Sequence, residues 1–174
     1  VRRFAYNADH LMVLHADAAG LECRYEWQGS GKWARVSRHW TSDGEHYDIR
    51  YSHAGAAKDI GPNQAAGQTL ATDQLGRTQH WHWNADHRIL AYTNPVGQTW
   101  RATYDELKQR LSLSLPDGAT TTYRYDELGL LAAQTDPLGR IWSTGWTPLG
   151  LPWRESAPDG SVTLYTYNEQ GNLL

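Results

Sequence analysis

The chain has little cysteine, methionine and phenylalanine and no long apolar run. Among its 174 residues there is one Cys, one Met and one Phe. A single cysteine, Cys23, can form neither an intrachain disulfide nor a cysteine-based zinc cage. No stretch approaches the roughly 18 consecutive apolar residues of a membrane-spanning helix, and residues 1–20 carry charges in place of a signal-peptide core. The sequence therefore predicts no membrane span and no Sec-type signal peptide in this stretch.

An excess of positive charge is also missing. There are 16 Lys and Arg against 19 Asp and Glu, which gives a net charge of -3. Such a chain has no basic field to hold nucleic acid through its phosphates, so we predict no nucleic-acid partner. What the chain does have is 9 Trp and 10 Tyr. These side chains combine an apolar body with a polar tip and suit half-buried sheet surfaces, which favours β structure.

An internal repeat organises the sequence. Five glycines follow one another at a spacing of 21 residues, and two more precede them at looser spacing: Gly76, Gly97, Gly118, Gly139 and Gly160, then Gly20 and Gly44. Seven residues after each glycine stands an aromatic, in order Trp27, Tyr51, Trp83, Tyr104, Tyr125, Trp146 and Tyr167. A fixed offset kept through seven units predicts one structural motif per unit, and we call these seven residues the repeat aromatics.

Each unit is typical of a β-hairpin. The glycine stands in a short turn such as Pro-Asp-Gly at 116–118, where proline presets one φ angle and glycine supplies a positive one. An alternating strand follows, up to the repeat aromatic. Asp105, Asp126 and Asn168 come directly after an aromatic and are predicted to accept backbone hydrogen bonds in a second, Asx-type turn. Because isolated hairpins are marginal, we expect successive units to pair edge to edge in one long rolled sheet.

The repeat is regular in only part of the chain. Residues 69–174 keep the 21-residue spacing, whereas residues 1–68 read as degenerate repeats of the same array. We place loop insertions near Gly29 to Lys32 and near Ala54 to Gly67, the latter being rich in Ala and Gly. The array also breaks off inside a motif at Leu174, so we expect the chain to be a fragment of a longer protein.

The segments Tyr125 to Leu131, Asp136 to Arg140 and Thr72 to Arg77 resemble the YD repeats of bacterial Rhs proteins, a family related to Tc-toxin C components and teneurins. Residues 81–97 are similar to an Rhs core, and the resemblance is strongest from Thr69 to Leu174. It implies an all-β fold of tandem hairpins that forms part of a β-cocoon, or shell. No protease-like release segment is visible before Leu174, so self-cleavage is not carried over.

The resemblance also implies a function. This chain would be non-catalytic wall material of a shell that encapsulates a C-terminal toxin and helps to deliver it. The implied partners are the remaining Rhs repeats and a C-terminal toxin domain of the same precursor, together with secretion spike proteins or another chain. Export from a bacterium by a specialised system, such as type VI secretion in interbacterial competition, follows from the resemblance alone.

Other chemistry finds less support in the residues. His80 and His82 are two apart on a predicted strand and could ligate a metal if a carboxylate such as Asp86 approached, which keeps a metal-dependent hydrolase open as a third reading. We favour ordinary strand positions for them and predict no metal, no cofactor and no catalytic residue. Cys23 is expected to be a small buried strand residue beside Tyr25.

Binding is the stronger alternative. Five further tryptophans could serve a carbohydrate- or peptide-binding module if they face outward: Trp33, Trp40, Trp100, Trp142 and Trp153. We favour shell lining or packing between strands, because large aromatics contribute mostly through burial.

Overall fold

The computed structural model describes residues 1–53 and 61–174, and these form a single antiparallel sheet. Its fifteen strands are β1 Arg3–Tyr6, β2 Met12–Ala16, β3 Glu22–Gln28, β4 Arg35–Thr41, β5 His46–His53, β6 Gly67–Asp73, β7 Thr78–Trp83, β8 Ile89–Thr93, β9 Thr99–Tyr104, β10 Arg110–Ser114, β11 Thr120–Tyr125, β12 Leu131–Thr135, β13 Ile141–Trp146, β14 Pro152–Ser156 and β15 Val162–Leu164. A short 3-10 helix at Gly31–Trp33 is the one helical element among the described residues. The predicted all-β fold of tandem hairpins is confirmed.

The strands follow one another across the sheet in the order of the sequence. Each pairs antiparallel with its predecessor and its successor, from β1 at one edge to β15 at the other. Within the described part of the chain, no strand contacts a strand that is not its neighbour. The sheet is therefore open, with two free edges.

One face of the sheet carries the repeat aromatics, and we call it the aromatic face. Side chains alternate between the two faces of a strand, so cross-strand partners share a face. On the aromatic face Tyr92 stacks between Trp81 and Trp100, with ring centroids 5.2 and 5.5 Å away. The opposite face bears residues such as Arg124, whose partner is the buried Ala133.

Little of the described chain is fully buried, because the sheet is a single layer. The buried apolar residues are few, and most of them are small: Leu14, Ala16, Cys23, Ala34, Ala71, Ala91 and Ala133. Large side chains such as Leu138 and Leu149 remain exposed, at 78% and 79%. Sheets normally bury a face against another layer, so this one is suited to being covered by further chain.

The first expected insertion lies between β3 and β4, and only part of the second lies within the described residues. Gly31–Trp33 lies in the connection between β3 and β4 and overlaps the expected insertion at Gly29 to Lys32. Of the second, at Ala54 to Gly67, residues 54–60 lie outside the described residues, while Gly67 already opens β6. β6 crosses the predicted boundary between 1–68 and 69–174 without a break in the sheet, and the division itself stays a prediction.

Candidate interaction surface

The turns at the glycine end of each hairpin share one hydrogen-bonding pattern, seen clearly at 136–140. The N–H of Gly139 donates to the carbonyl of Asp136, and the N–H of Asp136 donates to that of Arg140, both over 3.0 Å. The Asp136 carboxylate accepts the N–H groups of Leu138 and Arg140 at 2.9 Å each. Gly139 has a φ of +78°, a conformation that glycine adopts without steric cost. The other predicted turn glycines also have positive φ: Gly20, Gly44, Gly76, Gly97, Gly118 and Gly160.

The turns at the aromatic end use the Asx residues named from the sequence. Asp126 accepts the N–H groups of residues two and four further on at 3.0 and 2.9 Å, and Asn168 does the same at 3.1 and 2.9 Å. Asp105 accepts the N–H of Gln109 at 2.8 Å. These contacts agree with a structural role, which stays a prediction until the residues are replaced.

Sequence reasoning expected a glycine such as Gly129 or Gly171 to close the turns at the aromatic end, and it missed that other residue types take this place in several units. The left-handed position is four residues after the aromatic, where Gly129, Gly150 and Gly171 stand in three units. His10, His87 and Lys108 take the same place with φ of 59°, 58° and 66°. Non-glycine residues rarely adopt this conformation, so composition alone did not reveal it. The constant offset from the aromatic was a signal that could have found them.

The polar tip of each repeat aromatic is hydrogen-bonded. Six tips donate to a backbone carbonyl fifteen residues upstream, over 2.7 to 3.1 Å: Trp27 to Met12, Tyr51 to Val36, Tyr104 to Ile89, Tyr125 to Arg110, Trp146 to Leu131 and Tyr167 to Pro152. The indole of Trp83 instead donates to the hydroxyl of Thr69 at 3.2 Å. Buried or half-buried Tyr and Trp side chains usually need such a partner.

The acceptors obey a further rule, which the sequence did not show. Ile89 pairs across the strands with Trp83 and accepts from Tyr104, and Arg110 pairs with Tyr104 and accepts from Tyr125. Each aromatic therefore binds the residue opposite the preceding aromatic. Thr69 fits too, because it pairs with Tyr51. We call this chain of contacts the aromatic ladder.

A β-bulge accompanies most rungs of the ladder. The register shifts beside the pairs made by Trp27, Trp83, Tyr104, Tyr125 and Trp146. Bulges disturb the backbone ladder locally and leave polar groups to be satisfied in other ways. The aromatic tip supplies a donor at that point, so the repeat aromatic ties its own hairpin to the bulge of the hairpin before it.

The second insertion is attached to the sheet beside Trp83. The side-chain amide of Asn63 donates to the carbonyl of Tyr104 at 2.9 Å and accepts its N–H at 2.7 Å. Asn84, the least exposed side chain described, donates to the carbonyl of Pro62 at 2.7 Å. A Cβ added to Gly67 would lie 2.2 Å from the Trp83 ring, so this glycine permits the indole to pack on the backbone.

The five further tryptophans do not form one platform. Trp100 is half-buried and stacks on Tyr92, whereas Trp40 pairs with His46 on the opposite face. Trp33 is 69% exposed, with the Lys32 ammonium 5.1 Å from its ring. Trp142 and Trp153 are partly exposed on β13 and β14. Some of these tryptophans thus pack between strands, and the others are exposed at separate places on the sheet.

His80 and His82 share a face, with ring centroids 4.3 Å apart. Burial lowers the pKa of His82, and the nearby His80 and Arg101 lower it further. The Asp86 carboxylate binds the Lys108 ammonium at 2.7 Å. Among residues 1–53 and 61–174 no three His, Cys, Asp or Glu side chains are grouped as metal ligands.

Cys23 is buried on β3 opposite His15, as expected of a small strand residue. In the same described stretch, no helix is long and apolar enough to cross a membrane.

The fold and the ladder define an all-β hairpin-repeat protein. The family model for the RHS repeat matches residues 83–120 and 104–141. The chain belongs to the RHS-repeat family, the bacterial Rhs group that the sequence resembles.

Two relatives are toxins. The chain is 34% identical over 85 residues to "Double-stranded DNA deaminase toxin A" of Burkholderia cenocepacia. The aligned region is 49% of this chain and 5% of the relative. The chain is 32% identical over 132 residues to "Toxin protein Tse5" of Pseudomonas aeruginosa. Here the aligned region is 74% of this chain and 9% of the relative. The chain thus spans less than a tenth of the length of either relative.

Among solved structures, the chain is similar to a TcdB2-TccC3-TEV crystal structure, with a TM-score of 0.48, 13% identity, and coverage of 99% of this chain and 13% of that one. It is also similar to a Tc holotoxin pore of Photorhabdus luminescens, with a TM-score of 0.45, 14% identity, and coverage of 99% and 11%.

Proposed function

We propose that this chain is a segment of an RHS-repeat shell wall that encloses a C-terminal toxin of the same precursor, and that it has no catalytic role of its own. The observation that carries the proposal is the pairing of each described strand with its sequence neighbours alone. A sheet of this kind can be extended at β1 and β15 by further hairpins without changing any pairing already made.

The aromatic ladder supports a wall in particular. A single-layer sheet lacks the second layer that normally buries one face, so its units need another means of holding together. The ladder joins each hairpin to the preceding one through a side chain as well as through the backbone. The repeat residues thus serve sheet stability, and the described residues include no group of three His, Cys, Asp or Glu side chains that could hold a metal ion.

The relatives support the partners and the destination that we propose. Both are toxins by name and far longer than this chain, which leaves room for further repeats and for a toxin domain. Secretion spike proteins or a second chain would assist delivery. Export by a specialised system, type VI secretion in interbacterial competition, is the route that we propose for such a toxin.

The test uses the gene product in its full length. We expect its C-terminal domain to resist added protease when attached to the shell and to be digested quickly when produced alone. Replacing Tyr104 and Tyr125 together by Ala should weaken the wall and make the attached domain accessible. The matched control is Arg124→Gln. Arg124 is exposed, stands between two aromatic residues in the sequence, and lies on the face opposite to the aromatic face. Equal digestion of the attached and the isolated domain would contradict enclosure.

Catalysis is tested on the same material. Toxin activity should be retained by the C-terminal domain produced alone and be absent from the 174-residue chain. Activity that requires the chain, and is lost on replacing His80 and His82 by Ala with zinc or manganese supplied, would overturn the non-catalytic assignment.

A further inference from the structure

A groove on the aromatic face crosses the aromatic ends of several hairpins. It has a volume of about 480 Å³ and is lined by Tyr104, Tyr123 and Tyr125 together with Arg88, Lys108 and Arg110. Arg88 directly precedes β8, Tyr104 ends β9, and Arg110 begins β10. Tyr125 ends β11, and the lining continues to Leu131 at the start of β12. Neighbouring strands are about 4.8 Å apart, so a groove across five strands is about 19 Å long.

Positive charge dominates this groove. Its lining holds three cations and no carboxylate. Lys108 is paired with Asp86 at 2.7 Å, whereas neither Arg88 nor Arg110 forms an ion pair with any residue that the structure describes. The carboxylates of Asp105 and Asp126 nearby are engaged by backbone N–H groups of their own turns.

The tyrosines give the groove an apolar floor. Tyr104 and Tyr125 are half-buried, and their hydroxyl groups are fixed on backbone carbonyls by the aromatic ladder. The Arg110 guanidinium lies 5.7 Å from the centre of the Tyr123 ring. A planar guanidinium held over a ring can still donate paired hydrogen bonds to a carboxylate, which makes it a directional anion binder.

We propose that this groove binds a carboxylate-bearing segment of extended polypeptide, with Arg88 and Arg110 receiving Asp or Glu side chains and the tyrosines receiving the intervening chain. The inference rests on the proposed function, since a polypeptide enclosed by the shell is the occupant. A strand rises about 3.3 Å per residue, so the groove accommodates about six residues. Charge complementarity selects an acidic segment.

The probe is a fluorescently labelled peptide of eight residues in which Glu alternates with Ser, titrated with the 174-residue chain. We expect binding that weakens as salt is raised. Each of Arg88→Gln and Arg110→Gln should weaken it about tenfold, since a hydrogen bond to a charged group contributes on that scale. Both side chains are exposed, and circular dichroism will show that the variants keep the sheet.

Arg124→Gln is the matched control and should leave binding unchanged, because Arg124 points away from the groove. A Gln-Ser peptide and a uronic-acid oligosaccharide are the competing ligands. Equal binding of the neutral peptide, a preference for the oligosaccharide, absence of binding, or unchanged binding by both groove variants would each overturn the assignment. Protease protection of the full-length protein would be unaffected by such a result, so failure here is distinguishable from failure of the shell proposal.

Discussion

The phenol of Tyr125 donates a 3.1 Å hydrogen bond to the carbonyl of Arg110, the residue that pairs with Tyr104 in the preceding rung. One side chain thus reaches from its own hairpin to the bulge of the previous one. The same relationship recurs through units with Trp or Tyr at this position, because both side chains carry a single donor at the far end of a rigid ring. The repeat therefore tolerates exchange of Trp and Tyr, but Phe lacks the donor.

Tyr125→Phe is expected to lower the free energy of unfolding by about 0.5–1.5 kcal/mol, the usual net contribution of one hydrogen bond. Urea unfolding followed by circular dichroism measures it. Tyr123→Phe is the control on the same strand, since its hydroxyl has no hydrogen-bond partner among the described residues. Equal losses in both variants would argue against the ladder.

Gly67→Ala is expected to destabilise the sheet by about 1–3 kcal/mol, the range for inserting a group into a packed contact. The added Cβ would meet the Trp83 ring at 2.2 Å and the carbonyl of Ser52 at 2.6 Å. Thermal unfolding and the shift of tryptophan fluorescence report the displacement. Gly61→Ala is the matched control, because no atom of the described residues lies within 4 Å of its added Cβ. A variant as stable as the parent would show that the indole can move.

His10→Gly is expected to stabilise the chain by about 0.5–1 kcal/mol. His10 has a φ of 59°, which costs an L-residue more than the entropy that glycine loses on folding. Asp9→Gly, in the same turn without a positive φ, should not stabilise. Urea midpoints of the two variants decide the matter, and a less stable His10→Gly would contradict the expected relief of strain.

Stability should fall in acid through the turn carboxylates. Desolvation raises the pKa of the Asp136 carboxyl, but the backbone N–H and guanidinium of Arg140 and the N–H of Leu138 outweigh it and hold that pKa below its ordinary value. A carboxyl with a lowered folded pKa contributes stability above its unfolded pKa of about 3.9 and loses it as pH falls through the folded pKa.

Asp136→Asn should keep the turn, since Asn94 accepts the same two N–H groups in another unit. The variant should be less stable than the parent at neutral pH, and the difference should shrink as pH falls below about 3.9, the ordinary pKa of an Asp carboxyl. Urea unfolding across this pH range measures it. A difference that persists unchanged in acid would show that the charge is not its source.

Much of the fold could be predicted from the sequence because the information is local. Gly118 and Gly160 follow Pro-Asp pairs, and the alternation in 121–125 marks a strand by its period. The conformation of Lys108 was missed because its residue type hides a left-handed position. The hydrogen bond from Tyr125 to the carbonyl of Arg110 joins residues 15 apart, and the hydrogen bonds between Asn63 and Tyr104 join residues 41 apart. Such contacts depend on which strands become neighbours, and composition does not specify that.

The neighbour-only pairing of the strands has an evolutionary consequence. Each 21-residue unit pairs only with the unit before it and the unit after it. Duplication or deletion of a whole unit in the gene would therefore leave each remaining unit beside a neighbour with which it can pair. Lineages could therefore change the number of strands in such a sheet by unequal recombination, without waiting for compensating substitutions.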